Sequence, residues 1–333
     1  MISSDRAEYI RDRIFDSGYG AIAVAGPTAS GKTALSVELA RRLGGEIISC
    51  DSMQIYRGMD IATAKVTAEE MCGIPHHLID VLEPSCPYSA ADYVTDAERT
   101  AREIRERGNV PIFCGGTGLY LDSVMRGEYP EVSESDPALR AELAEYAREH
   151  GNTALHGMLR ELDPESAEAI HENNVKRVIR AIEIAKGSGK KKSELDLTRQ
   201  EYKGMKIFVV YLTYSDRELL YRRIEQRVDM MLDAGVCDEL RSLMEDGGFM
   251  SNATAMQAIG YKELIPYIRG ESSLCECADV LKRATRRYAK RQLTWFSGRG
   301  YARPLLCDGR GAQRSTAELA DEYIRMLEEE LSL

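Results

Sequence analysis

A complete phosphate-binding signature near the amino end constrains this chain more than any other feature. Residues 26–33 read Gly-Pro-Thr-Ala-Ser-Gly-Lys-Thr, which fits the pattern Gly-x-x-x-x-Gly-Lys-Thr. The apolar run at 21–25 indicates a buried parallel strand, and residues 34–43 indicate a helix that ends at Gly44-Gly45. Together they predict a P-loop, in which backbone N–H groups and a helix N-terminus cradle phosphate oxygens.

The side chains of this loop have predicted roles. Lys32 adds a positive charge to the phosphates, and the Thr33 hydroxyl is the predicted ligand of Mg²⁺, the cofactor that the motif implies. The residues expected to form the phosphate site are Gly26, Pro27, Thr28, Ala29, Ser30, Gly31, Lys32 and Thr33. The motif does not say which phosphates the loop holds.

Composition excludes several classes of protein. No apolar stretch among the 333 residues approaches the roughly 20 needed to span a bilayer. Residues 1–8 are charged and lack the apolar core of a signal peptide, and the eight cysteines show no paired metal-binding spacing. We therefore expect a cytoplasmic protein with no membrane association. Nothing indicates an obligate assembly, so we expect a monomer.

Two basic regions stand out in a chain whose net charge is −10. Residues 282–299 contain seven basic side chains and no acidic one, and a second cluster lies at 176–192. Each region is either a solvated helix face or a contact for a polyanion. The occurrence of two such regions in an acidic chain favours the polyanion.

The first 125 residues alternate strands and helices. Predicted strands at 46–50 and 110–114 follow the P-loop unit, and a helix at 90–107 begins after Ser89, a typical N-cap. This alternation predicts an α/β fold with a P-loop-type parallel sheet flanked by helices.

The pattern changes after Gly127. A turn-rich linker at 129–137 leads into short amphipathic helices, among them 137–150 and 165–171, and the next strand is expected at 205–212. Further helices are predicted at 216–234, 238–244, 275–296 and 316–331. We therefore predict three segments, the first and last of which form the core domain around a helical insertion: 1–127, 128–200 and 201–333.

Three segments should meet at the carboxyl edge of the sheet, where ligands of parallel α/β proteins bind. They are the P-loop, residues 51–54 and the glycine turn 115–118. Asp51 comes directly after its strand and is either a metal ligand, a base or a loop-stabilising carboxylate. Arg223 and Arg227 share one helix face, and either is a candidate to neutralise phosphate charge.

These residues belong to longer motifs that resemble the bacterial tRNA dimethylallyltransferase family over residues 20–297. The motifs occur in the order GPTASGKT (26–33), DSMQIYRGMDIATAK (51–65), PHHLID (75–80), GGTGLY (115–120), KRVIRA (176–181), QAIGYKE (257–263) and TRRYAKRQLTWF (285–296).

The resemblance implies that the P-loop holds the pyrophosphate of dimethylallyl diphosphate. The implied acceptor is the exocyclic N6 of the adenosine 3′-adjacent to the anticodon of tRNA. By position, Asp51 resembles the general base, Thr33 with Mg²⁺ and Lys32 hold the pyrophosphate, and Arg227 neutralises it as it leaves. The helical insertion is expected to clamp the anticodon stem-loop, with joints near Gly127 and residues 187–189.

The resemblance also implies the contacts to tRNA. These are Asp51, Ser52, Met53, Gln54, Thr117, Arg140, Lys176, Arg177, Val178, Ile179, Arg180, Gln257, Gly260, Tyr261, Lys262, Lys290, Arg291, Gln292 and Trp295. The two basic regions found from charge alone overlap two of these stretches.

Three other functions are compatible with parts of the pattern. An ATP-dependent kinase of a small molecule would use the same loop, and a prenyltransferase acting on free AMP would use the same base. A non-catalytic RNA-binding protein would use the basic helices but would leave Lys32, Thr33 and Asp51 without a common role.

Overall fold

The computed structural model describes residues 3–127, 136–188, 191–194, 204–245, 247–252, 254–309 and 311–333. The chain divides into two compact units, Met1–Met125 with Met205–Leu333, and Arg126–Gly204. Most of the linker expected at 129–137, and Gly189 of the expected joint, lie outside the described residues.

The first unit is built on a six-stranded sheet with the strand order β3-β2-β4-β1-β5-β6. Every neighbouring pair is parallel, so the predicted α/β class with a parallel sheet is confirmed. The strands are β1 Ala21–Ala25, β2 Gly45–Ser49, β3 His76–His77, β4 Val110–Gly115, β5 Ile207–Thr213 and β6 Ala302–Leu306.

Helices of the first unit flank this sheet. They are α1 Ser4–Asp16, α2 Lys32–Leu43, α3 Ala68–Met71, α4 Ala90–Glu106, α5 Gly118–Arg126, α10 Arg217–Asp233, α11 Val236–Glu245, α12 Gly248–Ser251, α13 Ile265–Ile268, α14 Leu274–Ser297 and α15 Thr316–Glu330. The second unit contains α6 Pro137–His150, α7 Asn152–Leu162, α8 Pro164–Ala169 and α9 Val175–Ser188. No described helix has both the length and the apolar character needed to cross a membrane.

Local sequence signals set several of these boundaries. Ser89 accepts a hydrogen bond from the N–H of Asp92, whose side chain accepts one in return, and this capping box starts α4. Gly44 has a φ of 65° and ends α2 in the left-handed region, which glycine adopts at little cost. The helix expected at 165–171 is shorter, because its chain becomes extended at Ile170.

Several elements were not predicted, among them helix α1 and the two edge strands of the sheet. Helix α1 precedes the first strand, β3 pairs with β2, and β6 pairs with β5 as the last strand of the sheet. Strand β6 contains Pro304, which has no N–H to donate and which is tolerated only at such an edge position.

Each unit has a core of its own. In the first unit, Val24 and Val210 of the sheet pack with Leu39 and Leu327 from the flanking helices. The Tyr323 hydroxyl donates a hydrogen bond of 3.1 Å to the Ala23 carbonyl and thereby ties α15 to the central strand. In the second unit, the core contains Leu143, Leu155, Leu159, Val178 and Ile182.

Candidate functional site

Three loops lie together at the carboxyl edge of the sheet. Strands β2, β4 and β1 are consecutive neighbours, and the loops that follow them begin at Cys50, Gly116 and Gly26. A Cβ on Gly115 would lie 2.0 Å from the Cys50 carbonyl oxygen, so the backbones of two of these loops touch. The expectation that these segments share one edge is therefore confirmed.

The loop between β1 and α2 is held by hydrogen bonds that side chains donate to its carbonyl groups. The Pro27 carbonyl accepts hydrogen bonds from Lys32 Nζ at 2.6 Å and from Ser30 Oγ at 2.8 Å. The Ala29 carbonyl accepts one of 2.9 Å from Arg223 Nε. In a trans peptide the N–H points opposite to the C=O, so the Ser30 N–H is directed away from Arg223.

Lys32, Arg227 and Asp51 form a charged group beside this loop. Burial, together with the nearby charge of Arg227, lowers the pKa of Lys32 to about 8, and Asp51 partly opposes the shift. Burial likewise lowers the pKa of Arg227, and Asp51 is the first of the charges that oppose it. Among the described residues, the buried Nε atom of Arg227 has no hydrogen-bond partner, as expected for a donor in an anion-binding site.

Asp51 is a half-buried carboxylate with a fixed orientation. Its Oδ1 accepts a hydrogen bond of 2.9 Å from the Met53 N–H. Within the described parts of the chain, Oδ2 accepts none, which leaves one oxygen for a substrate proton or a metal ion.

Thr117 connects Asp51's loop to α14. Its hydroxyl oxygen accepts a hydrogen bond of 3.2 Å from the Ser52 N–H, and the same hydroxyl hydrogen-bonds to the Tyr288 phenol. Burial, followed by the charge of Asp51, raises the pKa of Tyr288 above its usual range. Tyr288 therefore stays protonated beside the candidate base. Sequence reasoning gave this residue no role, although its motif was noted.

Gln292 of α14 bridges two of the three loops. Its Oε1 accepts a hydrogen bond of 3.0 Å from the Thr28 N–H, and its Nε2 donates one of 3.1 Å to the Gly116 carbonyl. The side chain is only 5% exposed. It therefore joins two loops of the site, and its expected contact with tRNA stays a prediction.

The basic residues of α14 divide into two groups. Lys282 pairs with Asp229 at 2.5 Å, and Arg286 pairs with Glu225, so both turn toward α10. A second group is exposed and forms one stripe along the helix: Arg283, Arg287, Lys290 and Arg291.

The segment after Asp51 is braced by two side chains. Gln54 uses its amide internally, because Oε1 accepts from Ser49 Oγ and Nε2 donates to the carbonyls of Thr63 and Ala64. Glu239 of α11 accepts hydrogen bonds from the N–H groups of residues 60, 61 and 62 and from the Tyr261 hydroxyl. The Gln54 amide therefore helps to hold this segment, and its expected contact with the adenine stays a prediction. The role of Glu239 was not foreseen.

In the second unit, one buried carboxylate orders two of the expected RNA contacts. Glu183, whose side chain is 1% exposed, binds Arg140 through two hydrogen bonds of 2.9 Å and also binds Arg180. The arginines hold the pKa of Glu183 below its usual range against the effect of burial. Lys176 and Arg177 are exposed at the start of α9. The sequence pattern did not predict a structural role for Glu183, because a single acidic residue in a basic helix is typical of a solvated position.

Five positions expected to contact tRNA are buried, and their contact with tRNA stays a prediction. Val178 and Ile179 pack in the core of the second unit because they lie on the inner face of α9, and Tyr261 is 0% exposed. The buried set is Val178, Ile179, Gly260, Tyr261 and Gln292. Their neighbours Gln257, Lys262, Lys290 and Arg291 are exposed, and Trp295 is half-buried.

The protein oxygens at the site suit a Mg²⁺ ion that is held partly by substrate phosphates and water, and not by protein side chains alone. Within the described part of the chain, no group of three or more His, Cys, Asp or Glu side chains is placed to hold a metal. Mg²⁺ in proteins is usually held by one or two side-chain oxygens together with substrate phosphates and water. The Thr33 hydroxyl at the start of α2 provides such an oxygen, so this residue fits the ion.

Comparison with known proteins decides the family. The family model for IPP transferase matches residues 54–299, and the model for isopentenyl transferase matches residues 20–81. The chain belongs to the IPP transferase family. The resemblance drawn from its motifs is therefore confirmed.

This chain is similar to its known relatives over most of their length. The tRNA dimethylallyltransferase of Bacillus pumilus is 49% identical over 83% of this chain and 86% of its own. The crystal structure of the tRNA isopentenylpyrophosphate transferase of Staphylococcus epidermidis is similar with a TM-score of 0.67, at 41% identity, over 93% of this chain and 99% of that one. A eukaryotic dimethylallyltransferase captured acting on tRNA has a TM-score of 0.76 at 28% identity, over 92% of this chain and 79% of its own.

Proposed function

We propose that this protein transfers the dimethylallyl group of dimethylallyl diphosphate to N6 of the adenosine 3′-adjacent to the anticodon of tRNA and releases pyrophosphate. The convergence of Lys32, Arg227 and Asp51 at the P-loop carries the proposal. Two cations beside an anion-binding loop suit a diphosphate leaving group, and a carboxylate beside them suits proton removal from an amine. Membership of the IPP transferase family supports the same assignment.

The proposed reaction forms a carbon–nitrogen bond and breaks a carbon–oxygen bond. The N6 nitrogen attacks the allylic carbon, the carbon–oxygen bond breaks with its electrons passing to pyrophosphate, and the N6 proton passes to Asp51. An exocyclic adenine amine is a weak nucleophile because its lone pair is delocalised into the ring. Orientation of the amine and neutralisation of the departing charge by Lys32 and Arg227 therefore supply most of the catalysis.

Thr33 is proposed to hold Mg²⁺ together with the donor. Bound there, the ion would neutralise pyrophosphate oxygens as charge develops on them. The chain itself contributes the loop amides and the Lys32 ammonium, which are proposed to bind the diphosphate group.

The RNA is proposed to lie along the exposed basic residues of α14 and of α9. Such contacts to phosphates position an RNA, while unstacked bases and loop shape supply specificity. The target base must leave its stack to reach Asp51, as bases do in other base-modifying enzymes. We also propose that the protein is a cytoplasmic monomer. Sedimentation of the protein with and without tRNA would test the monomeric state.

One assay separates this function from its alternatives. The protein is incubated with labelled dimethylallyl diphosphate and either unmodified tRNA or AMP. In parallel, titration calorimetry measures the binding of ATP and of the diphosphate donor. Label in tRNA alone is the expected result. Label in AMP would indicate a nucleotide prenyltransferase, and tight ATP binding without binding of the diphosphate donor would indicate a kinase.

The stripe on α14 predicts a change in salt dependence. Replacement of Arg287 and Lys290 by glutamine should lower the magnitude of the slope of log K against log salt for tRNA by about 1.5, because two fewer phosphates are neutralised. Fluorescence anisotropy over a salt series measures the slope.

A matched double replacement supplies the control. Lys282→Gln with Arg286→Gln removes the same charge from residues that are paired with Asp229 and Glu225. We expect the wild-type slope there. Equal slopes in both double variants and the wild type would remove α14 from the RNA contact.

A further inference from the structure

We propose that Gln292 is a positioning residue that couples RNA binding on α14 to the conformation of the diphosphate loop. The inference rests on the proposed function, since it needs both an RNA acceptor and a diphosphate donor. Its basis is one buried amide that hydrogen-bonds to two loops of the site at once.

Both partners of Gln292 are backbone groups of the site. The Thr28 N–H belongs to the P-loop after β1, and the Gly116 carbonyl belongs to the turn after β4. A side chain that joins them must donate and accept, and among side chains of this length only glutamine does both without a charge. Its loss leaves a buried donor and a buried acceptor unpaired, so both loops must rearrange.

Gln292 lies on a continuous inner face of α14. Tyr288, Gln292 and Trp295 follow the i, i+4, i+7 spacing of one helix face. Tyr288 hydrogen-bonds to Thr117, and Trp295 packs so closely that a Cβ on Gly118 would lie 2.3 Å from its Cδ1. This face therefore covers the turn at 116–118 and reaches the P-loop.

The outer face of the same helix carries the exposed stripe of Arg283, Arg287, Lys290 and Arg291. A helix of 24 residues moves as one element. An RNA that binds the outer face restrains the helix, and Gln292 passes that restraint to Thr28 in the P-loop. Such coupling acts in both directions, so a bound diphosphate also favours RNA binding.

The test measures the affinity of the full-length protein for inorganic pyrophosphate with Mg²⁺, without RNA and with a saturating anticodon stem-loop RNA. In the wild type we expect RNA to tighten pyrophosphate binding at least about fivefold, within the usual range of coupling between sites. In Gln292→Leu the ratio should fall to about one, while RNA affinity stays within about threefold of the wild type, because the outer stripe is intact.

A second variant reaches the same contact from its other side. In Gly116→Ala the new Cβ would lie 1.9 Å from Gln292 Nε2 and would displace the amide, so the same loss of coupling is expected. Asp279→Asn, on an exposed position of α14, is the control and should keep the wild-type ratio.

A wild-type ratio of one, or a wild-type ratio retained in either variant, overturns the inference. Failure of the inference and failure of the proposed function give different results. A wild-type protein that prenylates tRNA but shows no coupling refutes the inference alone, whereas failure to prenylate tRNA refutes the proposed function.

Discussion

Replacement of Asp51 by alanine is expected to lower the single-turnover rate of dimethylallyl transfer about a thousandfold. General-base catalysis by a positioned side chain contributes roughly two to four orders of magnitude. Binding of tRNA should change by no more than about threefold, because the proposed phosphate contacts lie mainly on α14 and α9. Rapid-quench assays with labelled donor and saturating tRNA measure the rate, and fluorescence anisotropy measures binding.

Asp51→Asn separates the base from the brace. Asparagine keeps an oxygen for the Met53 N–H, which Asp51 Oδ1 accepts at 2.9 Å, but it cannot take the substrate proton. We expect the asparagine variant to be as slow as the alanine variant. If asparagine restores the wild-type rate, Asp51 serves only to shape the loop.

Lys32→Met is expected to weaken pyrophosphate binding at least about a hundredfold and, at the same time, to stabilise the protein without ligand. The pKa of Lys32 falls from 10.5 to about 8 because its ammonium is buried. Each pKa unit corresponds to about 1.4 kcal/mol, so the buried charge costs roughly 3 kcal/mol. Loss of the hydrogen bond to the Pro27 carbonyl offsets about 1 kcal/mol of this, which leaves a net gain of about 2 kcal/mol at pH 7.

The gain should depend on pH with a definite sign. Between about pH 8 and 10.5 the unfolded chain binds more protons at Lys32 than the folded chain does, so wild-type stability rises with pH in this window. The difference between the variant and the wild type is therefore largest below pH 8 and shrinks toward pH 10. Urea unfolding at pH 7 and pH 10 measures it.

The exposed lysine Lys206 supplies the control for this experiment. It lies in the same unit, and its ammonium stacks on the Tyr19 ring. Lys206→Met should give no gain at pH 7. An unchanged or lower stability of Lys32→Met at pH 7 would contradict the assignment of a desolvated ammonium.

Local signals predicted the elements next to the phosphate loop well. The strand at Ala21–Ala25 and the helix that Gly44 ends follow from a short apolar run and a left-handed glycine. Strand β6 escaped prediction because Pro304 and Arg303 break the apolar alternation, and only its partner β5 makes it a strand. Helix α1 begins in a charged segment whose apolar positions pack on residues more than 300 positions away, such as Leu327.

The candidate site was predictable where its chemistry lies within one motif. Lys32, Thr33 and Asp51 could be named because the P-loop and the strand end place them, whereas Gln292 reaches Thr28 across a separation of 264 residues. The family resemblance marks Gln292, Val178 and Tyr261 as members of contact motifs but does not say which way each side chain points. The folded chain decides that, and it places all three side chains in the interior.

The chain leaves and rejoins the sheet-bearing unit at adjacent points. The Met205 N–H donates a hydrogen bond of 3.2 Å to the Val124 carbonyl, although Arg126–Gly204 lie between them in sequence. Insertions are tolerated where the two ends lie close together. An insertion at this junction can therefore change in length or sequence while every strand of the sheet stays in register. For protein engineering, the same junction is the place to exchange one recognition module for another.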